Sequence, residues 1–190
     1  MDYQLILASN SPRRRELLES LELQFTVKTI QGIDESYPDT LVGEQIPIHI
    51  SRTKAQAYLP TLTDRQLIIT ADTIVYLPDE RLVLGKPVDR DDACHMLRLL
   101  SGRTHQVITG VTLLTLQREH SFAATSRVTF SALTDEEINH YVDTYKPYDK
   151  AGAYGIQEWI GLVGVCGLEG SYFNVMGLPV QRLYQELKKF

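Results

Sequence analysis

The sequence predicts an α/β fold in which helices flank a mixed central β-sheet. Two observations support this prediction. Apolar runs typical of buried strands alternate with helix-like segments along the first 100 residues. Two long β-rich stretches, residues 104–116 and 121–131, then follow one another across a short polar turn, which predicts an antiparallel ribbon.

Capping residues and prolines mark the boundaries of the first predicted elements. Residues 4–8 form an apolar run suited to a buried strand, and Ser11-Pro12 supplies a helix N-cap followed by a proline at the first helical position. Alternation at residues 25–29 predicts a second strand. A second helix is expected from about residue 46 to 59, with Pro60 ending it.

Residues 67–76 carry the strongest strand pattern, rich in β-branched residues and apolar on both faces, which indicates a central strand. Residues 91–100 predict a helix that Ser101-Gly102 closes. Thr134 to Glu137 has the form of a capping box that opens another helix. We expect loops and short strands in the glycine-rich segment after residue 150, and a closing helix at 178–190.

Length, net charge and hydropathy indicate the class of protein. A chain of 190 residues without an internal repeat or linker is expected to form a single domain over residues 1–190. The net charge is −5, so no overall basic field attracts nucleic acid. Without a long apolar stretch or a signal-like N-terminus, we expect a cytoplasmic protein with neither a membrane nor a nucleic-acid partner.

The run of residues 9–15, Ser-Asn-Ser-Pro-Arg-Arg-Arg, predicts a phosphate receptor. A helix that begins at Pro12 presents unpaired backbone N–H groups, and arginines in its first turn are unfavourable there unless an anion binds. The alternative is a solvated basic face. The serine-rich turn and the preceding strand favour the phosphate site.

Asp72 is the sharpest single candidate, because a carboxylate within an apolar strand is costly to bury unless a cation or hydrogen-bond donors meet it. It is either a structural residue bonded to nearby backbone, or a metal ligand or general base at the sheet edge. Asp34 and Glu35, adjacent in a polar loop, offer a further pair of carboxylates that a divalent cation such as Mg²⁺ would accept, although adjacent acids in a loop are ordinarily just solvated.

Two lysines are further candidates. Lys54 lies on a helical face, where a surface role is the ordinary interpretation, and Lys86 is held between Gly85 and Pro87. The sequence has no Walker-type phosphate loop, dinucleotide fingerprint, zinc-hydrolase histidine pair or nucleophile elbow. Basic side chains and carboxylates remain, which are the groups that metal-assisted phosphoryl chemistry uses.

Six segments, taken together and in order, resemble the Maf family over nearly the whole chain. They are LILASNSPRR at 5–14, ADTIV at 71–75, GKP at 85–87, SGRTHQV at 101–107, DKAGAYGIQ at 149–157, and GSY to GLP at 170–179. The resemblance implies a nucleoside triphosphate pyrophosphatase with a mixed α/β fold akin to the inosine triphosphate pyrophosphatases (the Maf/Ham fold). It also implies a homodimer.

The same resemblance implies roles for individual residues. The phosphate-binding positions correspond to Ser9, Arg13, Arg14, Lys54 and Lys86. The acidic positions correspond to Glu35 and Asp72, of which Asp72 is the implied proton acceptor.

Three positions resemble those of a subgroup that acts on dTTP and UTP, rather than of a sister subgroup that prefers 7-methylated GTP. They are Arg13, Thr73 and Gln157. A glutamine amide can donate a hydrogen bond to a pyrimidine O4 and accept one from N3–H, which agrees with this assignment.

The resulting hypothesis is hydrolysis of a nucleoside triphosphate to the monophosphate and pyrophosphate. Asp72 activates the attacking water directly, or through a divalent cation, Mg²⁺ or Mn²⁺, held by Glu35 and Asp72. Two alternatives stay open from sequence. One is a nucleotide-binding regulator of septum formation or cell division without essential turnover, and the other is a nucleic-acid-binding module, which the acidic balance disfavours.

Overall fold

The computed structural model describes residues 3–190 of the chain. The strands are β1 (Gln4–Leu7), β2 (Phe25–Val27), β3 (Gln66–Leu77), β4 (Leu82–Leu84), β5 (Thr104–Leu114), β6 (Glu119–Phe130) and β7 (Val165–Glu169). The α-helices are α1 (Pro12–Glu19), α2 (Gln45–Gln56), α3 (Arg90–Leu100), α4 (Asp135–Tyr145), α5 (Trp159–Gly164), α6 (Tyr172–Met176) and α7 (Val180–Leu187). Short 3₁₀ helices lie at Leu59–Thr61 and Ala151–Ala153.

The strands form one mixed sheet in the order β2-β1-β3-β5-β6-β7, with β4 paired to β3. β1 runs parallel to both β2 and β3, whereas β4 is antiparallel to β3 and β7 to β6. Thr104 contacts Thr129, and Thr112 contacts Ser121, so β5 and β6 form an antiparallel ribbon. The predicted mixed α/β sheet is confirmed.

The chain divides into two compact units. The first comprises the described residues through Thr73 together with 109–124 and 177–190, and the second comprises 74–108 and 125–176. Strands β3, β5 and β6 each contribute residues to both units. The expectation of a single domain over 1–190 stays a prediction.

In the first unit, helix α1 begins where the sequence predicts. The Ser11 side chain accepts a hydrogen bond from the Arg14 backbone N–H, and Pro12 occupies the first helical position. Leu17 and Leu18 are buried on the inner face of the helix. A small apolar cluster that includes Ile6, Tyr58 and Ile68 lies beneath this part of the sheet.

In the second unit, the larger apolar cluster surrounds Phe130, Tyr141 and Leu97. Its helix α4 opens with the predicted capping box: Thr134 Oγ1 accepts from the Glu137 N–H, and the Glu137 carboxylate accepts from the Thr134 N–H. No helix within residues 3–190 is long and apolar enough to span a membrane.

Two predicted boundaries differ from the structure. Helix α2 ends at Gln56, and Pro60 lies within the following 3₁₀ helix rather than stopping α2 directly. The glycine-rich segment after residue 150 contains the short helices α5 and α6 besides strand β7. Helices of six and five residues are too short to display a helical period, and their glycines suggest loops.

Candidate active site

Asp72 and Thr73 are neighbours on the central strand β3, so their side chains point to opposite faces of the sheet. On the Asp72 side, Lys54 Nζ lies 2.8 Å from Asp72 Oδ1. The two side chains are only 15% and 14% exposed, respectively. The lysine therefore supplies the cation that a carboxylate within this strand requires.

A buried polar ladder holds the helix that carries Lys54. Ser51, one turn before Lys54 on α2, is fully buried, and its hydroxyl contacts Thr112 Oγ1 at 3.0 Å. Thr70 Oγ1 donates to the Ser51 carbonyl over 2.6 Å. These bonds tie α2 to strands β3 and β5, which fixes the origin of the Lys54 side chain.

Glu35 approaches the same lysine from the loop that joins β2 to α2. Lys54 Nζ lies 3.2 Å from Glu35 Oε1. The adjacent Asp34 instead accepts a hydrogen bond from the Ser36 N–H at 2.9 Å, and this bond lowers the pKa of Asp34. Of the two neighbouring acids, Glu35 therefore faces Lys54 and Asp34 shapes the turn.

The start of this loop is anchored by a buried tyrosine. Tyr58 Oη donates to the Lys28 carbonyl and accepts from the Ile30 N–H, both over 2.9 Å. Burial raises the pKa of the Tyr58 hydroxyl, which favours its donor form. This role was not predicted, because nothing in the local sequence distinguishes Tyr58 from an ordinary core tyrosine.

Arg14 lies on the Thr73 side and is engaged by the protein. Its Nη1 donates to the Ala71 carbonyl (2.8 Å), its Nη2 to Thr73 Oγ1 (3.0 Å), and its Nε to the Gly177 carbonyl (2.8 Å). Thr73 Oγ1 also contacts Thr109 Oγ1 at 2.9 Å. Among residues 3–190, three of the five guanidinium N–H groups are thus directed at protein acceptors, which leaves two for a ligand.

The charged side chains around Arg14 influence the pKa of its guanidinium. Burial lowers the pKa of its guanidinium, Asp72 and Glu35 act in the opposite direction, and Arg13 adds to the lowering. Arginine stays protonated despite such shifts. Two cationic and two acidic side chains therefore interact near the beginning of α1.

Ser9, another residue that is predicted to bind phosphate, closes the turn before α1. Ser9 Oγ accepts from the Ser11 N–H at 3.2 Å, which orders the backbone that leads into the helix. Arg13 lies in the first turn of α1 and is half-buried. Ser11 in turn binds the Arg14 N–H, and Pro12 has no N–H, so the predicted anion site depends on side chains rather than on a set of unpaired backbone groups.

The two carboxylates on Lys54 also bear on the predicted metal. Within residues 3–190, no group of three or more His, Cys, Asp or Glu side chains is arranged to hold an ion. Mg²⁺, however, is commonly bound through one or two carboxylates together with substrate phosphates. Asp72 and Glu35 already converge on one cationic group, so this pair fits such a site.

The second unit contains the remaining predicted residues. Lys86 is exposed between β4 and α3, and the preceding Gly85 carbonyl accepts from the Gly152 N–H at 3.0 Å. Gln157 lies at the end of the DKAGAYGIQ segment. Its Oε1 atom is buried and has no hydrogen-bond partner among residues 3–190.

The structure thus brings together Glu35, Lys54 and Asp72 on one side of β3, and Arg14 and Thr73 on the other. Thr109 and Gly177 also belong to the Arg14 group, and neither of these contacts was predicted from the sequence. Gly177 stands in the GLP segment, which indicated that the position matters but not what it binds. The catalytic and binding roles of these residues stay predictions.

Comparison with known proteins gives a consistent assignment. The Maf-like protein family matches residues 4–190. A dTTP/UTP pyrophosphatase of Phocaeicola vulgatus is 62% identical over 187 residues, which cover 98% of this chain and 96% of the relative. A protein of the same name from Parabacteroides distasonis is 57% identical over 188 residues, covering 99% and 96% of the two chains.

A solved structure agrees in fold alone. A HAM1 protein from Coxiella burnetii superposes with a TM-score of 0.50 at 12% identity, over 99% of this chain and 100% of that one. The predicted likeness to the Maf/Ham fold is therefore confirmed. With a family match over 4–190 and relatives above 50% identity, the chain belongs to the Maf family.

Proposed function

We propose that this chain hydrolyses dTTP and UTP to the nucleoside monophosphate and pyrophosphate. The observation that carries the proposal is the placement of Lys54 between Asp72 and Glu35 within the unit that also holds the arginine-rich start of α1. Relatives of 62% and 57% identity bear the name of this activity, which supports the substrate assignment.

Asp72 is the proposed proton acceptor. Its Oδ1 is held by Lys54, so Oδ2 is the oxygen assigned to take a proton from the water that attacks the α-phosphorus. The bond to the β-phosphate breaks, and pyrophosphate leaves. General-base assistance of this kind contributes about 10²–10⁴-fold to the rate.

The basic side chains are proposed to bind and neutralise the triphosphate. The phosphate oxygens are contacted by Arg13, by the Ser9 hydroxyl, and by the two N–H groups that Arg14 does not donate to the protein. Lys54 stabilises charge as the α-phosphate is attacked. Lys86 keeps the phosphate-binding role that the family resemblance implies.

Asp72 and Glu35 are the residues proposed to hold a divalent cation, Mg²⁺ or Mn²⁺. When bound, such an ion neutralises phosphate charge and lowers the pKa of a coordinated water. Lys54 contacts both carboxylates, so it shares their negative charge with the ion. The predicted homodimer and cytoplasmic location stay predictions, the first of which sedimentation of the purified protein would check.

The test is pyrophosphate release from dTTP, UTP, CTP, ATP and GTP, with Mg²⁺ or Mn²⁺ and with chelator. We expect release from dTTP and UTP in the presence of metal. Asp72→Asn should lower turnover by about 10²-fold or more, whereas Asp79→Asn, at an exposed position in the β3–β4 turn, should not. Near-normal turnover by Asp72→Asn would remove Asp72 from the mechanism.

Absence of release from every triphosphate would contradict the proposal itself and favour a regulator that binds nucleotide without turnover. That alternative is not favoured at present, because the close relatives are named for an enzymatic activity. No observation in the described residues supports the nucleic-acid-binding alternative.

A further inference from the structure

A tight turn in the second unit carries Gln157. The Gly155 carbonyl accepts a hydrogen bond from the Glu158 N–H over 3.0 Å, which makes Ile156 and Gln157 the two central residues of a four-residue turn. The next bond, from the Gly161 N–H to the Glu158 carbonyl at 2.9 Å, continues into α5. The position of Gln157 therefore depends on what holds the two ends of this turn.

One buried hydroxyl holds both ends. Tyr141, fully buried on α4, accepts a hydrogen bond from the Gly155 N–H at 3.0 Å and donates one to Glu158 Oε2. Burial, together with the hydrogen bond to Glu158, raises the pKa of the Tyr141 hydroxyl well above its ordinary value. The hydroxyl stays protonated at neutral pH and can serve as donor and acceptor at once.

The second oxygen of Glu158 is also engaged. Lys150 Nζ lies 3.1 Å from Glu158 Oε1 and 2.8 Å from Asp149 Oδ1, and Lys150 is only 8% exposed. Both carboxylate oxygens of Glu158 thus have a donor, one neutral and one charged. Such charge-assisted bonds are stronger than neutral ones and fix the carboxylate in place.

Close packing restricts the turn further. A Cβ atom on Gly155 would lie 3.0 Å from Glu158 Oε2 and 3.1 Å from Lys150 Cε, so the backbone passes directly against the charged pair. The turn has little room to shift without breaking these contacts.

The turn presents the side chain of Gln157, one atom of which lacks a hydrogen-bond partner among residues 3–190. That atom is Oε1, which is buried. A buried carbonyl oxygen without a donor costs about 1–3 kcal/mol. An N–H group on a ligand would satisfy it, and the N3–H of thymine or uracil is such a group.

We propose that Tyr141 and Glu158 are positioning residues that fix the turn from which Gln157 projects, and thereby let Gln157 select uracil and thymine over cytosine. Uracil presents a donor at N3 and an acceptor at position 4, and cytosine presents the reverse. A glutamine on a turn that can shift would not meet this edge of the base in one fixed position, and its preference would weaken. This inference rests on the proposed function for the identity of the ligand.

Tyr141→Phe is the direct test, because it removes the hydroxyl and keeps the ring. Tyr145→Phe is the matched control: Tyr145 is one turn later on α4, is 38% exposed, and stacks on Tyr141 with 5.1 Å between ring centroids. We expect the ratio of kcat/KM for UTP to that for CTP to fall about tenfold or more in Tyr141→Phe, and to hold in Tyr145→Phe.

Glu158→Gln provides a second variant that retains the shape of the side chain. Its amide loses the charged bond to Lys150, so the ratio should fall in the same direction. If Tyr141→Phe does not fold, as judged by its circular dichroism, this variant decides the question. Equal losses for UTP and CTP, or an unchanged ratio in a folded variant, would overturn the proposal.

Binding measurements separate this inference from the proposed function. Calorimetric Kd values for UTP and CTP, taken with Ca²⁺ in place of Mg²⁺, report base selection without depending on turnover. A wild-type protein that prefers UTP in binding, loses that preference in Tyr141→Phe and releases no pyrophosphate would contradict the function but uphold the positioning role. Pyrophosphate release together with an unaltered binding preference in Tyr141→Phe would uphold the function but contradict the positioning role.

Discussion

Arg14 donates a hydrogen bond from Nη2 to Thr73 Oγ1 over 3.0 Å, and from Nη1 to the carbonyl of Ala71 on the same strand. The last ladder bond between β1 and β3 runs from the Ala8 N–H to the Ile69 carbonyl. Ala71 is the next outward-facing carbonyl on that edge of β3. The arginine therefore takes over the pairing of β3 at the point where β1 ends.

Arg14→Lys is expected to lower the free energy of unfolding by about 2–3 kcal/mol. A lysine ammonium cannot reproduce the planar set of donors that reaches Ala71, Thr73 and Gly177, so at least one buried acceptor loses its partner. Urea denaturation followed by circular dichroism measures the change.

Arg15→Lys is the control for that substitution. Arg15 pairs with Glu19 on the exposed face of α1 with a side chain that is 63% exposed, where ion pairs contribute little. We expect a change within about 0.5 kcal/mol. Equal losses in the two variants would mean that the Arg14 contacts do not stabilise the fold.

Lys54→Gln is expected to reduce kcat/KM for UTP by about 10²–10³-fold. The variant removes the cation between Asp72 and Glu35, so two carboxylates face the incoming triphosphate without compensation. Lys28→Gln is the matched control, because the Lys28 ammonium contacts the hydroxyl of the exposed Thr61. A similar loss in both variants would indicate a general effect of charge rather than a role for Lys54.

Gly110→Ala is expected to destabilise the protein by about 1–3 kcal/mol. A Cβ atom there would lie 2.3 Å from the carbonyl carbon of Pro47, which is helix backbone and cannot rotate away. Helix α2 would have to move off β5 and take Lys54 with it, so kcat/KM should fall as well. In contrast, a Cβ on Gly85 meets nothing within 4 Å, and Gly85→Ala should leave the unfolding free energy unchanged.

Because His105 is buried in its neutral form, we expect the protein to lose stability in acid. This histidine is fully buried, its Nε2 contacts Tyr154 Oη at 2.7 Å, and burial lowers its pKa to about 4. Below its ordinary pKa of about 6.5, the unfolded chain binds a proton that the folded protein does not. Stability contributed by the neutral ring is therefore complete above pH 6.5 and falls by about 3 kcal/mol as the pH drops to about 4.

His105→Gln keeps a hydrogen-bonding group near Tyr154 but does not titrate. Unfolding free energies of wild type and variant, measured from pH 7 to pH 4, should differ in slope by up to one proton within that window. The difference between the two proteins cancels the contribution of other titrating groups. Parallel curves would show that His105 is not the group responsible.

Local chemistry was sufficient for much of the secondary structure. Ser11 and Pro12 start α1, and Thr134 and Glu137 form a capping box, as their patterns predict. Residues 67–76, predicted as a central strand, lie within β3. The predicted end of α2 was wrong, and the short helices α5 and α6 were not predicted. In those places neighbouring segments, rather than capping residues or a hydrophobic period, decide where a helix forms.

The sequence by itself determined the fold class, the family and the residue types of the site, because these depend on nearby residues and on motifs in order. Only the tertiary structure decided which groups meet. Arg14 contacts Gly177 at a separation of 163 residues, and Tyr141 on α4 donates to Glu158, which lies just before α5. Such pairings depend on how the chain packs around its cores, and no spacing within a single segment encodes them.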